Sequence, residues 1–123
     1  MMKSRKKLTL AIDFDGTIVS RDWPQIGRPR VMAVPVLKML KRRGHTLILW
    51  TCRVGEPLRD AVLFLAKNNV WVDFVNNNDP KMVHIYGTNC RKINADWCID
   101  DRAGFLGWWS IPVIMFLLEM GII

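Results

Sequence analysis

Four short apolar runs occur along the chain, and each has the pattern of a buried strand. Each run is rich in β-branched or large apolar residues, and turn-forming or acidic residues follow three of the four runs. The four predicted strands are residues 8–12 (LTLAI), 46–51 (TLILWT), 70–75 (VWVDFV) and 95–100 (ADWCID). The second run is nearly all apolar, as expected of a strand that is covered on both faces.

Segments with a helical period separate the predicted strands. Residues 31–43 place apolar side chains on one face and basic side chains on the other, with Pro35 expected in the first turn and Gly44 as the C-terminal cap. Residues 56–68 show the same period. Strands that alternate with helices predict right-handed crossovers and a parallel sheet between helices. The expected fold is therefore a single three-layer, Rossmann-like α/β domain over residues 1–123.

The composition indicates a folded protein. Half of the 123 residues are hydrophobic, and the mean hydropathy is +0.10. Residues 1–7 are basic and expected to be flexible, and the apolar run between them and Asp13 is too short for a secretory signal. Cys52, Cys90 and Cys98 have no metal-ligand spacing and cannot all pair with one another. Reduced thiols in a cytoplasmic protein are therefore expected.

The C-terminal segment, residues 105–123, is apolar enough to suggest a membrane span. Polar, proline and glycine residues interrupt it, and its length is at the short limit for crossing a bilayer. Ser110 with Pro112 is typical of a helix start, and Gly121 of a helix end. A packed terminal helix is therefore expected, and no membrane span.

The formal net charge is +7, from 18 basic and 11 acidic residues. The predicted helix 31–43 carries a cluster of basic residues. The simplest interpretation is that they form its solvent-exposed face. Four of the acids belong to the candidate site described next, which leaves the remaining surface strongly cationic. Such a surface suits an anionic substrate, for example a phosphorylated compound or a nucleic acid.

Acidic and hydroxyl side chains stand where three of the four predicted strands end. Asp13 and Asp15 follow the first strand, Thr51 ends the second, and Asp100 and Asp101 end the fourth. A buried carboxylate without a partner is costly, so folding alone would not place acids there. The carboxyl ends of parallel strands meet at one edge of the sheet, where ligands bind in such folds. The stretch from Thr17 to the next helix contains Pro24, Gly27 and Pro29, and a loop or small flap is expected there.

These residues resemble the four motifs of the haloacid dehalogenase superfamily of phosphatases and phosphotransferases. DFDGT (13–17) is similar to the first motif, and LILWT (47–51), a strand ending in Thr, to the second. Lys92 stands where the third motif has its lysine, and CIDD (98–101) is similar to the fourth. The motifs occur in order and span residues 8–101, most of the chain.

The resemblance implies a role for each motif residue. Asp13 would attack phosphorus, and Asp15 would protonate the leaving oxygen and later activate water. Gly16 would permit the turn and a close backbone approach, and Thr51 would hydrogen-bond a phosphoryl oxygen. Lys92 would neutralise the transferring group.

Other residues could share these tasks. Arg91 or Lys81 could supply the charge instead of Lys92. Cys52 and Arg53, directly after Thr51, are further candidates for substrate contacts, since an arginine can hold a phosphate bidentately. A surface arginine without a function is the alternative for Arg53.

Mg²⁺ is the cofactor that the resemblance implies. Two carboxylates facing a phosphate dianion require a cation, and Mg²⁺ prefers carboxylate, phosphate and water oxygens. Its expected protein ligands are the Asp13 carboxylate, the Asp15 backbone carbonyl and the Asp100 carboxylate. Asp101 is an outer or alternate ligand, and the sequence does not decide between Asp100 and Asp101 as the main one.

No room is left for the cap domain that most members of this superfamily carry. Only 33 residues separate Thr17 from Thr51, and 40 separate Thr51 from Lys92, and both stretches must hold a helix and strand residues. A site without a cap needs a large substrate or a second subunit to exclude water. A nucleotide or the phosphorylated end of a nucleic acid is therefore a candidate substrate, and homo-oligomerisation stays open.

The leading hypothesis is a Mg²⁺-dependent phosphatase, and three alternatives remain. One is a phosphotransferase that passes the group to an alcohol. Another is a non-catalytic module that binds phosphorylated ligands or nucleic acid on the same fold. The third is a protein attached to a membrane through residues 105–123.

Overall fold

The computed structural model describes residues 7–77 and 95–100. The predicted C-terminal helix, and Lys81, Arg91, Lys92 and Asp101, lie outside these residues. The described elements are the strands β1 (Thr9–Ile12), β2 (Thr46–Leu49), β3 (Phe74–Val75) and β4 (Trp97–Ile99), and the helices α1 (Ala33–Arg42) and α2 (Gly55–Lys67).

The four strands form one parallel sheet in the order β3-β2-β1-β4. Connections β1-α1-β2 and β2-α2-β3 both lead in the same direction along the sheet, so right-handed crossovers place both helices on one face. This parallel α/β architecture confirms the predicted Rossmann-like fold. No helix within residues 7–77 and 95–100 has the length and apolar character that a bilayer crossing requires.

The sheet is buried on both faces. Leu10, Ile12 and Leu47 belong to the main apolar cluster, which also includes the inner faces of α1 and α2. Side chains alternate along a strand, so Ala11 and Ile48 point the other way, and these paired residues are buried as well. The prediction that the second strand is covered on both faces is therefore confirmed.

Strands β3 and β4 are shorter than predicted, for the same physical reason. The Asp73 carboxylate accepts the N–H of Leu47 at 2.7 Å, where a strand carbonyl would otherwise pair. Asp96 does the same at the start of β1, accepting the N–H of Thr9 at 2.8 Å. The N–H of each aspartate still donates to the neighbouring strand, Asp73 to the Leu47 carbonyl and Asp96 to the Thr9 carbonyl, both at 2.8 Å. Backbone bonding therefore begins at the aspartates, and the regular strands follow at Phe74 and Trp97. The bounds predicted for α1 and α2 are confirmed to within two residues at all four ends.

Candidate active site

Asp13 and Asp15 both face one cavity at the carboxyl edge of the sheet. Their spacing puts them on one side of the chain, while Phe14 between them is fully buried in the core. The cavity has a volume of about 490 Å³. The described residues that line it are Asp13, Asp15, Arg21, Trp23, Thr51, Cys52, Arg53, Val54 and Asp100.

Asp100 reaches this cavity because β4 is the direct neighbour of β1. Ile12 pairs with Ile99, and the Asp13 N–H donates to the Ile99 carbonyl at 2.9 Å. Paired strands lie roughly 4.8 Å apart, so the residues that follow them, Asp13 and Asp100, stand side by side. Two of the predicted metal ligands from distant parts of the sequence therefore share one pocket.

The turn after Asp13 depends on Gly16. Its φ is +89°, in the left-handed region that glycine adopts without strain. Its N–H donates to the Val19 carbonyl at 2.7 Å, and the Ile18 N–H donates to Phe14 at 2.9 Å, which closes a tight helical turn. The predicted turn function of Gly16 is confirmed, and the turn leaves the Thr17 hydroxyl 3.5 Å from an Asp13 carboxylate oxygen.

Thr51 is held in place from two sides. Its N–H donates to the Asn76 side-chain oxygen at 2.7 Å, and its hydroxyl oxygen accepts the Arg53 N–H at 3.1 Å. A hydroxyl that accepts one bond still has its hydrogen to donate. That hydrogen is available for the phosphoryl contact predicted for Thr51, and Cys52 lines the cavity as an exposed free thiol.

Arg53 is buried and pairs with Asp15. Its side chain is 1% exposed, and its Nε and Nη2 donate to the two Asp15 oxygens at 2.7 Å each. Nη1 donates to the carbonyls of Pro24 and Pro57, and Nη2 also donates to that of Gln25. An arginine has five N–H donors, so all of them have protein acceptors here. A substrate phosphate would have to displace one of these acceptors, and the geometry gives Arg53 the task of orienting Asp15.

The expected flap is a small hairpin, which we call the lip (residues 20–28). Val19 and Pro29 form an antiparallel bridge at its base, and the Ser20 N–H donates to the Arg28 carbonyl at 2.8 Å. A Cβ on Gly27 would lie 2.0 Å from the Ser20 carbonyl oxygen, so only glycine fits there. Two bonds from Arg53 to lip carbonyls and two to Asp15 join the lip to the catalytic candidates.

The residues at this edge of the sheet have the donor chemistry that Mg²⁺ requires. The carboxylates of Asp13 and Asp100 line one cavity with Asp15, and all donors are oxygens. No group of three His, Cys, Asp or Glu side chains that could hold a metal occurs among residues 7–77 and 95–100. The Mg²⁺ ligands predicted from the sequence are the carboxylates of Asp13 and Asp100 and the backbone carbonyl of Asp15. This prediction does not require three metal-binding side chains. Asp101, the alternate ligand, lies outside the described residues.

The sequence did not single out Arg21, Trp23, Val54 or Asn76 as site residues. The first two belong to the lip, and only the fold shows that the lip borders the cavity. Asn76 has a positive φ of 49° and bonds Thr51 through its side chain. A tryptophan in a turn-rich stretch after the first motif is the one local signal that could have drawn attention to the lip.

A solved structure from Bacteroides thetaiotaomicron, of a conserved protein, is similar to this chain. The two share 34% sequence identity, with 94% of this chain and 92% of that chain covered and a TM-score of 0.80. The chain belongs to the same family as that protein. No protein-family model matches the chain, and no curated protein does. The family membership confirms the α/β fold, and the activity has to be argued from the site itself.

Proposed function

We propose that this protein is a phosphatase that hydrolyses phosphate monoesters with Asp13 as the nucleophile. The observation that carries the proposal is the convergence of Asp13, Asp15 and Asp100 on one cavity, with the Thr51 hydroxyl beside them. These residues come from three neighbouring strand ends and match the motifs of the haloacid dehalogenase superfamily. Exposed free thiols at Cys52 and Cys98 agree with a cytoplasmic enzyme.

In the first half of the proposed reaction, an Asp13 oxygen forms a bond to phosphorus while the ester P–O bond breaks. Asp15 gives a proton to the leaving oxygen, and an alcohol departs. Each Asp15 oxygen accepts one bond from Arg53 in this structure and keeps a second lone pair, which can carry that proton. The Thr51 hydroxyl donates to a phosphoryl oxygen and keeps the group in line.

In the second half, water replaces Asp13 on phosphorus. Asp15 takes the proton of the attacking water, the aspartyl-phosphate bond breaks, and inorganic phosphate leaves with the Asp13 carboxylate restored. Asp13, Asp100 and the Asp15 carbonyl would hold Mg²⁺, which supplies charge neutralisation for the phosphate dianion. The predicted contribution of Lys92, or of Arg91 or Lys81, would add positive charge to the same group.

The direct test is phosphate release from an aryl phosphate with and without Mg²⁺. The Asp13→Asn variant removes the nucleophile but keeps the side-chain shape, so we expect release to fall to background while thermal unfolding stays cooperative. Asp60→Asn, at an exposed acid on α2, is the matched control and should retain wild-type activity.

Two outcomes would overturn this proposal. Substantial turnover by Asp13→Asn would exclude Asp13 as the nucleophile. Binding of Mg²⁺ and phosphate without turnover on a broad panel of phosphorylated metabolites, nucleotides and oligonucleotides would favour a non-catalytic binding module.

A further inference from the structure

Two large apolar side chains on the cavity wall are exposed to solvent. Trp23 in the lip is 64% exposed, and Val54 before α2 is 72% exposed. Both line the cavity that contains Asp13 and Asp15. An indole that remains accessible beside a cavity can stack on a planar ligand and bury its apolar face there.

The backbone next to Trp23 is fixed before any ligand binds. The carbonyl of Pro24 accepts from Arg53 Nη1 at 3.0 Å, and that of Gln25 accepts from Nη2 at 2.7 Å. The base of the lip is closed by Ser20, which bonds Arg28 through its N–H and its hydroxyl oxygen. A preformed recognition surface loses little conformational entropy on binding.

The position of the Arg53 guanidinium indicates which part of a substrate would contact Trp23. Arg53 joins the lip to both oxygens of Asp15, so Trp23 belongs to the Asp15 side of the cavity. In the proposed reaction Asp15 contacts the leaving oxygen. The group that lies against Trp23 is therefore the leaving group, not the phosphoryl group.

We propose that the substrate is a phosphate ester whose leaving group carries a planar aromatic ring, which stacks on Trp23. This inference rests on the proposed function for the identity of the leaving-group side. A nucleobase and a simple aryl ring share this chemistry, and stacking on an aromatic side chain accepts any base.

The test compares phenyl phosphate, adenosine 5′-monophosphate and glycerol phosphate as substrates. In Trp23→Leu, we expect the KM for the two aromatic substrates to rise on the order of tenfold, with a smaller change for glycerol phosphate. Trp23→Phe keeps a ring and should recover most of the affinity. Trp71→Leu is the matched control, because Trp71 is also exposed (66%) but does not line this cavity.

A loss that is equal for aromatic and non-aromatic substrates in Trp23→Leu would overturn the inference. A loss on the nucleotide alone would support it and identify a nucleobase as the stacked ring. If the wild-type protein hydrolyses none of the three, the proposed function fails separately. Calorimetric titration of Asp13→Asn with adenosine 5′-monophosphate, with and without Trp23→Leu, then decides the inference: binding that does not depend on Trp23 excludes it.

Discussion

The two ends of β2 each carry a buried polar side chain, and these two side chains are used differently. His45 precedes the strand and is 2% exposed, and Arg53 follows it and is also 2% exposed. His45 accepts one hydrogen bond, from the Leu8 N–H to Nδ1 at 3.0 Å. Arg53 donates five, to a carboxylate and three carbonyls.

The buried side chain at the amino end of β2 stabilises the fold, and the one at the carboxyl end also borders the candidate site. At the amino end, a neutral imidazole satisfies one backbone group and joins the starts of β1 and β2. Burial, with the nearby charges of Lys7 and Arg43, lowers the pKa of His45 and keeps it neutral. At the carboxyl end, a permanent charge is buried beside a cavity and surrounded by acceptors. A fold keeps such a charge inside only if its partners are complete, and here one partner is the proposed acid, Asp15.

The largest expected effect comes from removing the charge at the carboxyl end. Arg53→Met leaves the Asp15 carboxylate and three carbonyls without their donor, so we expect a loss of about 3–5 kcal/mol in the free energy of unfolding. Activity should fall as well, because Asp15 and the lip lose their common anchor. Urea unfolding and phosphate-release kinetics measure the two effects.

Two variants give this prediction its controls. Arg53→Lys keeps the charge but not the planar fork, so it should recover part of the stability and less of the activity. Arg59→Met changes an exposed arginine of α2 and should alter stability by less than about 0.5 kcal/mol. Full activity in Arg53→Met would show that Arg53 does not position Asp15.

A smaller effect is expected from the lip glycine. In Gly27→Ala, the new Cβ would lie 2.0 Å from the Ser20 carbonyl, so the hairpin must shift at a cost of about 1–3 kcal/mol. Because the lip borders the cavity, KM should also rise.

Gly44→Ala is the control for this prediction. Gly44 has a φ of +85° near the amino end of β2, so the substitution should lower the free energy of unfolding by about 1–2 kcal/mol with activity unchanged. If Gly27→Ala and Gly44→Ala lose activity equally, the carboxyl end of β2 is no more important for activity than the amino end.

The smallest effect concerns pH at the amino end. The pKa of His45 is lowered from 6.5, so below that value the unfolded chain binds a proton that the folded chain does not. The stability contributed by neutral His45 is therefore complete above about pH 6.5 and falls as the pH drops, by at most about 1.4 kcal/mol per pH unit.

His45→Asn isolates this contribution, because an amide oxygen can still accept the Leu8 N–H but does not titrate. Denaturant unfolding of both proteins at pH 7.5 and 5.5 should show a smaller pH dependence in the variant. Identical pH profiles would mean that His45 does not carry the effect.

Most of the fold could be predicted from local patterns. The apolar runs and helical periods identified each described strand and helix, and the turn at Gly16 followed from the motif around it. The starts of β3 and β4 could not be predicted, because the Asp73 and Asp96 side chains replace carbonyl partners of neighbouring strands that lie far away in sequence. Lys92, Asp101 and the proposed activity stay predictions.

By itself, the sequence determined the elements, their parallel arrangement and the acids at the strand ends, because side-chain alternation and turn chemistry act over a few residues. Only the tertiary structure decided what Arg53 does. Its partner Asp15 lies 38 residues away, and its other acceptors are carbonyls of the lip and of α2, which no side-chain pattern encodes. Tertiary packing also brought Trp23 to the cavity, since the position of a hairpin depends on what its backbone bonds across the fold.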